Sequence, residues 1–391
     1  MKSYRSTLIT CFIGYIVQAI TVVFVPLLFV TFQQEYGITL SQLSLLVTMT
    51  FGIQICGDLL VPKIVPHLGQ RTGLVMANLF AVCGLSLLSF LPDLMPRPFT
   101  GVILSVFCYS MGSCIIEVLV SPVAEACPTK NKEATMSLLH SFFCWGSVLV
   151  TAGSTLFFVL CGLENWRILC RIWAICPLIV AILFSMVPLK TLEGDKEGKR
   201  SSLGSLVKNP TVVLLLVAMT CAGAAELSVS QWVSAFAEEG LHVSKTMGDL
   251  LGASLFAVMM GTGRVFYAKK ADKIHLENFM LGSTALCLAG YLVVALSPWP
   301  VVTLLGCGMV GLGVAVLWPG CLSIGTKKVV LGGTALFALQ AAAGDIGATV
   351  GPTVTGLLSD AFGGNLKVGI ACAMVFPLTA LLSLLLLRKK K

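Results

Sequence analysis

The chain has 391 residues, 57% of them hydrophobic and 11% charged, with a formal net charge of +8 and a mean hydropathy of +0.94. A soluble domain carries about 25% charged residues and keeps a largely polar surface, so composition excludes a soluble enzyme and makes lipid the solvent. In lipid only helices or closed barrels satisfy every backbone group, and apolar runs of about twenty residues select helices over barrel strands of about ten.

The first apolar run follows Lys2 and Arg5 and mimics a secretory leader. It is too long for one, holds Pro26 and lacks a small-x-small cleavage site, so it reads as a retained helix. Twelve spans follow in order, at 8–31, 41–65, 71–91, 99–125, 135–160, 167–189, 210–236, 246–268, 278–297, 300–325, 331–358 and 366–387. Each is long enough to cross about 30 Å at 1.5 Å per residue. The longest polar stretch, 190–209, falls near the midpoint. It predicts an N-terminal six-helix bundle over 1–189, a cytoplasmic linker over 190–209 and a C-terminal six-helix bundle over 210–391. The expected fold is an all-α membrane protein with twelve transmembrane helices in two pseudo-symmetric bundles.

Basic residues give the orientation. With the N-terminus inside, 20 cations fall in cytoplasmic segments and 4 (Arg97, Arg167, Lys245 and Lys367) fall outside. Arg171 and Arg264 lie within helices. The positive charge therefore reports topology and is no sign of nucleic-acid binding. A weak internal repeat supports two related halves. Gly57-Asp58 precedes Lys63 as Gly263-Arg264 precedes Lys269, and Gly146 and Gly153 have the spacing of Gly344 and Gly351.

Ionisable groups inside lipid-spanning helices are costly and point to function. Here they are Asp58, Glu117, His140, Arg171, Glu226, Arg264 and Asp345. Glu117 shares a helical face with Ser113 and Ser121, Asp58 with Gln54, and Glu226 with Ser230. Such stripes suit the walls of a polar crevice, and a carboxyl there can load and release a proton. Asp58 and Arg264 are candidate gating partners. Asp345, between Gly344 and Gly347, sits where glycines let a neighbouring helix approach. Gln18, His140, Glu226, Gln231, Trp232 and Trp318 are candidates to line a solute path. Trp318 precedes Pro319, where a helix break is expected. Trp166 and Trp299 flank helix ends and read as interfacial anchors. The fifteen cysteines show no C-x-x-C spacing and read as small packing residues. No metal cluster, Walker A loop or nucleophile–base pair is visible, so neither an enzyme nor a bound cofactor is expected.

Twelve spans in two halves with a charged central loop resemble the major facilitator superfamily. Gly69-Gln-Arg71 resembles the end of its helix 2–3 loop signature, with Pro66-His67 where that signature has its aspartate. Gly263-Arg264 through Asp272 resembles the corresponding helix 8 signature. Gly112-Ser-Cys-Ile-Ile-Glu117 with Ser121-Pro122, Ser137-Leu-Leu-His140 with Trp145-Gly146, and Leu317-Trp318-Pro319 are similar to patterns of the fucose:proton symporter family. That resemblance implies a proton-coupling role for Glu117 and a substrate-contacting one for His140. In the first helix, Gln18-Ala-Ile-Thr-Val22 carries no carboxylate where that family has acidic or amide residues.

The resulting expectation is a secondary active transporter moving a small organic solute, with a sugar as one candidate. It would work by alternating access and proton-coupled symport, in a bacterial plasma membrane, as a multi-pass monomer with both termini cytoplasmic. Sodium is the alternative coupling ion, and proton-coupled efflux of drugs or metabolites is the alternative function.

Overall fold

The computed structural model of the protein describes residues 4–195, 201–234 and 252–389. Lys2, Lys196, Lys199, Arg200, Lys245, Lys390 and Lys391 lie outside that set, as do 235–236 and 246–251 of the seventh and eighth predicted spans. Among the described residues every regular element is a helix. The longer ones are α1 (Arg5–Leu27), α2 (Phe29–Tyr36), α3 (Leu40–Leu68), α4 (Gln70–Leu88), α5 (Pro98–Ala126), α6 (Lys132–Cys161), α7 (Trp166–Met186) and α8 (Pro210–Ser230). Then follow α9 (Ser254–Lys270), α10 (Leu276–Leu296), α11 (Pro300–Val314), α12 (Leu317–Lys328), α13 (Gly333–Ala361), α14 (Leu366–Ala373) and α15 (Val375–Lys389).

Eleven of the predicted spans coincide with helical segments long and apolar enough to cross a bilayer. The other is α9, 17 residues long, which begins just after residues that are not described. Proline marks several starts. Pro98, Pro210 and Pro300 open α5, α8 and α11, where no N–H is needed and φ is preset. Thr39 opens α3 through a reciprocal capping box with Gln42.

Three predicted spans are broken. Leu28 separates α1 from α2, two residues after Pro26. The tenth span breaks at 315–316 and the twelfth at 374. In each of the last two a proline, Pro319 or Pro377, lies in the first turn of the second piece. Its missing N–H leaves the carbonyl four residues back without a helical partner.

Packing density divides the chain into two compact units, Met1–Pro128 with Trp145–Leu192 and Thr129–Cys144 with Glu193–Lys391. The division runs through α6. In the first unit, Phe24, Phe32, Leu85, Leu88 and Trp166 belong to one buried apolar core. Trp166 was expected at the lipid interface but is fully buried. Its indole N–H donates to Glu35 Oε2 at 2.8 Å, and its ring meets Phe32 edge-on at 5.5 Å. A satisfied N–H lets the whole ring bury. Trp299, by contrast, is largely exposed at the start of α11.

Next to Trp166, Arg167 grips Asp93 with two bonds, Nε to Oδ2 at 2.8 Å and Nη2 to Oδ1 at 2.9 Å, and also pairs with Glu35. Arg167 holds the Asp93 carboxyl below its usual range, helped by the Tyr36 hydroxyl bond at 2.6 Å. Arg71, from the loop signature, caps the end of α7. Its guanidinium donates to the carbonyls of Phe184 (2.7 Å) and Val187 (2.8 Å). Arg171 donates to Ser89 Oγ at 3.1 Å.

In the second unit, α8 and α13 run backbone against backbone. A side chain at Gly223 would overlap the Gly344 carbonyl, and one at Gly347 the Thr220 carbonyl. Small residues permit this approach in the absence of a hydrophobic drive between helices. Burial is inverted relative to a water-soluble protein. Asp58, Asn78 and Gln340 are fully buried, while Val159, Leu160, Met186 and Leu296 are about three-quarters exposed. That is the distribution expected when the outside is hydrocarbon.

Candidate functional site

Each unit builds one polar group around an intramembrane carboxylate. In the first, α5 presents Ser110, Ser113, Glu117 and Ser121 on one stripe. Against it stand Tyr15, Gln18 and Thr21 of α1 and Thr50 and Gln54 of α3. Glu117 Oε2 accepts from Gln18 Nε2 at 3.0 Å and from Gln54 Nε2 at closer range. Ser113 donates to Gln18 Oε1 at 3.1 Å, which fixes the Gln18 amide with its NH2 toward the carboxylate. The Thr21 hydroxyl lies 3.1 Å from Ser113 Oγ. Tyr15 and Ser121 hydroxyls are 2.6 Å apart. Gln18, Gln54 and Ser113 are buried, while Glu117 remains partly exposed.

Both hydrogen-bond partners of Glu117 are neutral amides. Gln54 is held less completely than Gln18, because its Oε1 is buried without a hydrogen-bond partner among the described residues. A half-turn of the Gln54 amide would aim that oxygen at Glu117. The group can thus serve a carboxylate, which accepts, and a carboxylic acid, which also donates. The sequence offers Ser113 and Gln54 only as crevice-wall neighbours of Glu117 and Asp58, and not as partners of one carboxylate. Their signal was present in their spacing from Asp58 and Glu117, but which helix they faced was not.

The second group gathers around Arg264 of α9, which is 3% exposed. Its Nε donates to the Ala315 carbonyl at 2.8 Å, in the break between α11 and α12. Nη1 donates to the His140 carbonyl at 2.9 Å and lies 3.1 Å from Cys144 Sγ. Nη2 stands 4.0 Å from Glu226 Oε2. Ser137 donates to the carbonyl of Arg264 itself at 2.8 Å. The structure therefore joins His140, Glu226 and Arg264, with His140 engaged through its backbone.

Trp318, in the first turn of α12, lies half-buried on α13, where a side chain at Gly344 would overlap its ring. Asp345, the next residue, is buried. Asp58 is fully buried on α3. Gln231 is exposed at the end of α8. Trp232 packs toward Gly356, with its indole N–H unpartnered among the described residues. Neither Gln231 nor Trp232 bonds to the Glu226–Arg264 group among the described residues.

No curated protein matches the chain in sequence. Solved structures match its fold over nearly their full lengths. The fucose:proton symporter FucP of E. coli, in a single-residue variant, superposes with a TM-score of 0.81 at 17% identity, covering 99% of both chains. FucP in the outward conformation gives 0.82 at 16% identity, again covering 99% of both. The proton:xylose symporter XylE gives 0.81 at 13% identity, covering 98% of this chain and 95% of that one. The Major Facilitator Superfamily profile matches residues 7–352. With its family profile spanning nearly the whole sequence and its polar residues turned inward from lipid, this multi-pass membrane transporter belongs to the Major Facilitator Superfamily.

Proposed function

We propose that the chain is a proton-coupled symporter for a small polyhydroxylated solute of the sugar class, with Glu117 as the residue that carries the coupling proton. The observation behind this reading is the Gln18–Glu117–Gln54 arrangement, a partly exposed carboxyl held by two neutral amides. With no cation in its hydrogen-bond shell among the described residues, the carboxyl can change charge without stranding a partner. The Gln54 amide answers the change by turning its free oxygen toward the acid. Gln18, Ser113 and Thr21 hold the other side, and amides and hydroxyls of this kind also suit a solute rich in hydroxyl groups. Two fold neighbours are named as proton symporters of fucose and xylose, which supports the same solute class and ion here.

Transport would follow alternating access, with the solute site open to one side of the membrane at a time. A proton crossing 100 mV supplies about 2.3 kcal/mol, enough to concentrate a neutral solute up to about fiftyfold. The positive-inside split of basic residues supports cytoplasmic termini, and short connections suit a bacterial inner membrane.

The test is uptake into proteoliposomes under an imposed proton gradient, with labelled L-fucose and D-xylose as probes. The expected result is accumulation that a protonophore abolishes. Glu117→Gln should keep counterflow exchange and lose accumulation. Accumulation in Glu117→Gln with the pH dependence of the parent would remove Glu117 from the role. Uptake driven by a sodium gradient alone would replace the proton, and an absence of flux for both sugars would reject the solute class.

A further inference from the structure

In an α-helix the carbonyl of residue i accepts from the N–H of residue i+4. For Ala315 that partner would be residue 319, a proline, which has no N–H. An unpaired carbonyl within a membrane-spanning segment is costly, so a substitute donor is needed. The substitute is present. Arg264 Nε lies 2.8 Å from the Ala315 carbonyl oxygen and comes from a different helix. The same guanidinium faces Glu226 with its other end, 4.0 Å away.

We propose that Arg264 is a positioning residue that replaces the hydrogen bond Pro319 removes, and that the charge on Glu226 sets how firmly it holds the α11–α12 break. The guanidinium keeps its charge throughout. While Glu226 is ionised, the buried cation has an opposite charge beside it. When Glu226 takes a proton or binds solute, the cation is left with carbonyls and a thiol, and holding it in place becomes unfavourable. Its bond to Ala315 then weakens and the break loosens. Trp318, the second residue of α12, moves with the break, because it lies just past the freed carbonyl and across the Gly344 face of α13.

Among the described residues, the titratable groups linked to this pair are these. His140 and Cys144 of α6 feel Arg264, and Cys144 also feels Glu226. From the α11–α12 break it is backbone that meets Arg264. Asp345 is the buried acid of α13, the helix packed along α8. The inference extends the transport reading above to a second carboxylate and relies on that reading only for its purpose.

Amide hydrogen exchange by mass spectrometry on the full chain in lipid nanodiscs tests it without any solute. Peptides covering 311–323 are followed between about pH 5 and about pH 9, with rates converted to protection factors. In the parent, protection of 316–323 should fall by about tenfold on acidification, as a lost local hydrogen bond predicts. Glu226→Gln should show the low value at every pH. Arg264→Gln should also be low and flat. Pro319→Ala restores an N–H that can reach the Ala315 carbonyl, so it should recover protection in the Arg264→Gln background. Asp345→Asn should keep the pH step.

A pH step that survives in Glu226→Gln overturns the proposal, as does failure of Pro319→Ala to rescue Arg264→Gln. If Arg264→Gln does not fold, Pro319→Ala alone decides the matter. It should hold 316–323 protected at all pH values, and a parental step in that variant counts against the clamp. Failure of sugar uptake leaves this result standing, and failure here leaves the Glu117 test untouched.

Discussion

Two carboxylates, one in each unit, are held in opposite ways. Glu117 rests on the neutral amides of Gln18 and Gln54. Glu226 faces the permanent cation of Arg264 at 4.0 Å. The first arrangement tolerates a change of charge because an amide offers a donor at one end and an acceptor at the other. The second does not, because a guanidinium has only donors. On the two proposals, one site is titrated in place, whereas the other converts titration into movement. The position of each carboxylate follows from its helix, but its role follows from the charge of its neighbours.

The sharpest way to break the contrast is to remove one partner from each group. Arg264→Gln should cost about 3–5 kcal/mol, toward the lower end since Glu226 keeps some exposure, because it strands a half-buried carboxylate and a buried carbonyl. Glu117→Gln leaves an amide among amides and should cost under about 1 kcal/mol. The apparent Tm of detergent-purified protein, read by intrinsic fluorescence, gives both. Equal losses would mean that the two carboxylates are held alike.

A smaller effect checks that each unit is rigid enough for such differences to matter. Gly347 of α13 and Gly112 of α5 both abut the carbonyl of a neighbouring helix, Thr220 and Ala77 respectively. Alanine at either should overpack the seam and cost about 1–3 kcal/mol. The two losses should be similar, since this feature is common to both units. A large cost at only one would assign the contrast to packing and not to charge. Smaller again is Gln54→Leu, which takes one donor from Glu117 and should cost about 0.5–1.5 kcal/mol. It should also move the pH dependence of proton-driven uptake, which a leucine acting only as packing would leave in place.

Much of this architecture was legible in the sequence. Hydropathy gives the spans because lipid imposes a length on each helix, and Pro98, Pro210 and Pro300 mark starts through their backbone chemistry alone. Pro319 likewise announced the break in the tenth span. The partners were not legible. Gln18 and Gln54 lie 99 and 63 residues from Glu117, and periodicity gives a face without naming what it meets. Arg264 was harder still, since its main acceptors are backbone carbonyls, which carry no residue signature. The cue was Pro319 itself, since a proline within a span implies a carbonyl in need of a donor. Trp166 misled because a helix end looks alike whether it faces lipid or the chain's own core.

The smallest effect belongs to a third carboxylate, whose partner is charged but solvated. Asp93 is bound by Arg167, and its side chain is 43% exposed. Arg167 lowers its pKa, so the bond stabilises the fold fully above the ordinary carboxylate range near 3.9. That contribution is lost as pH falls through the lowered folded value. Water screens the pair, which limits its worth to under about 1 kcal/mol. Between about pH 6 and about pH 3, the parent should therefore lose slightly more Tm than Asp93→Asn, and added salt should shrink the gap. Every other acid is present in both proteins, so the difference isolates Asp93. A gap as large as that of Arg264→Gln would show that solvent does not soften a charged pair in this fold, and the distinction between the buried and exposed carboxylates would then rest on hydrogen bonding alone.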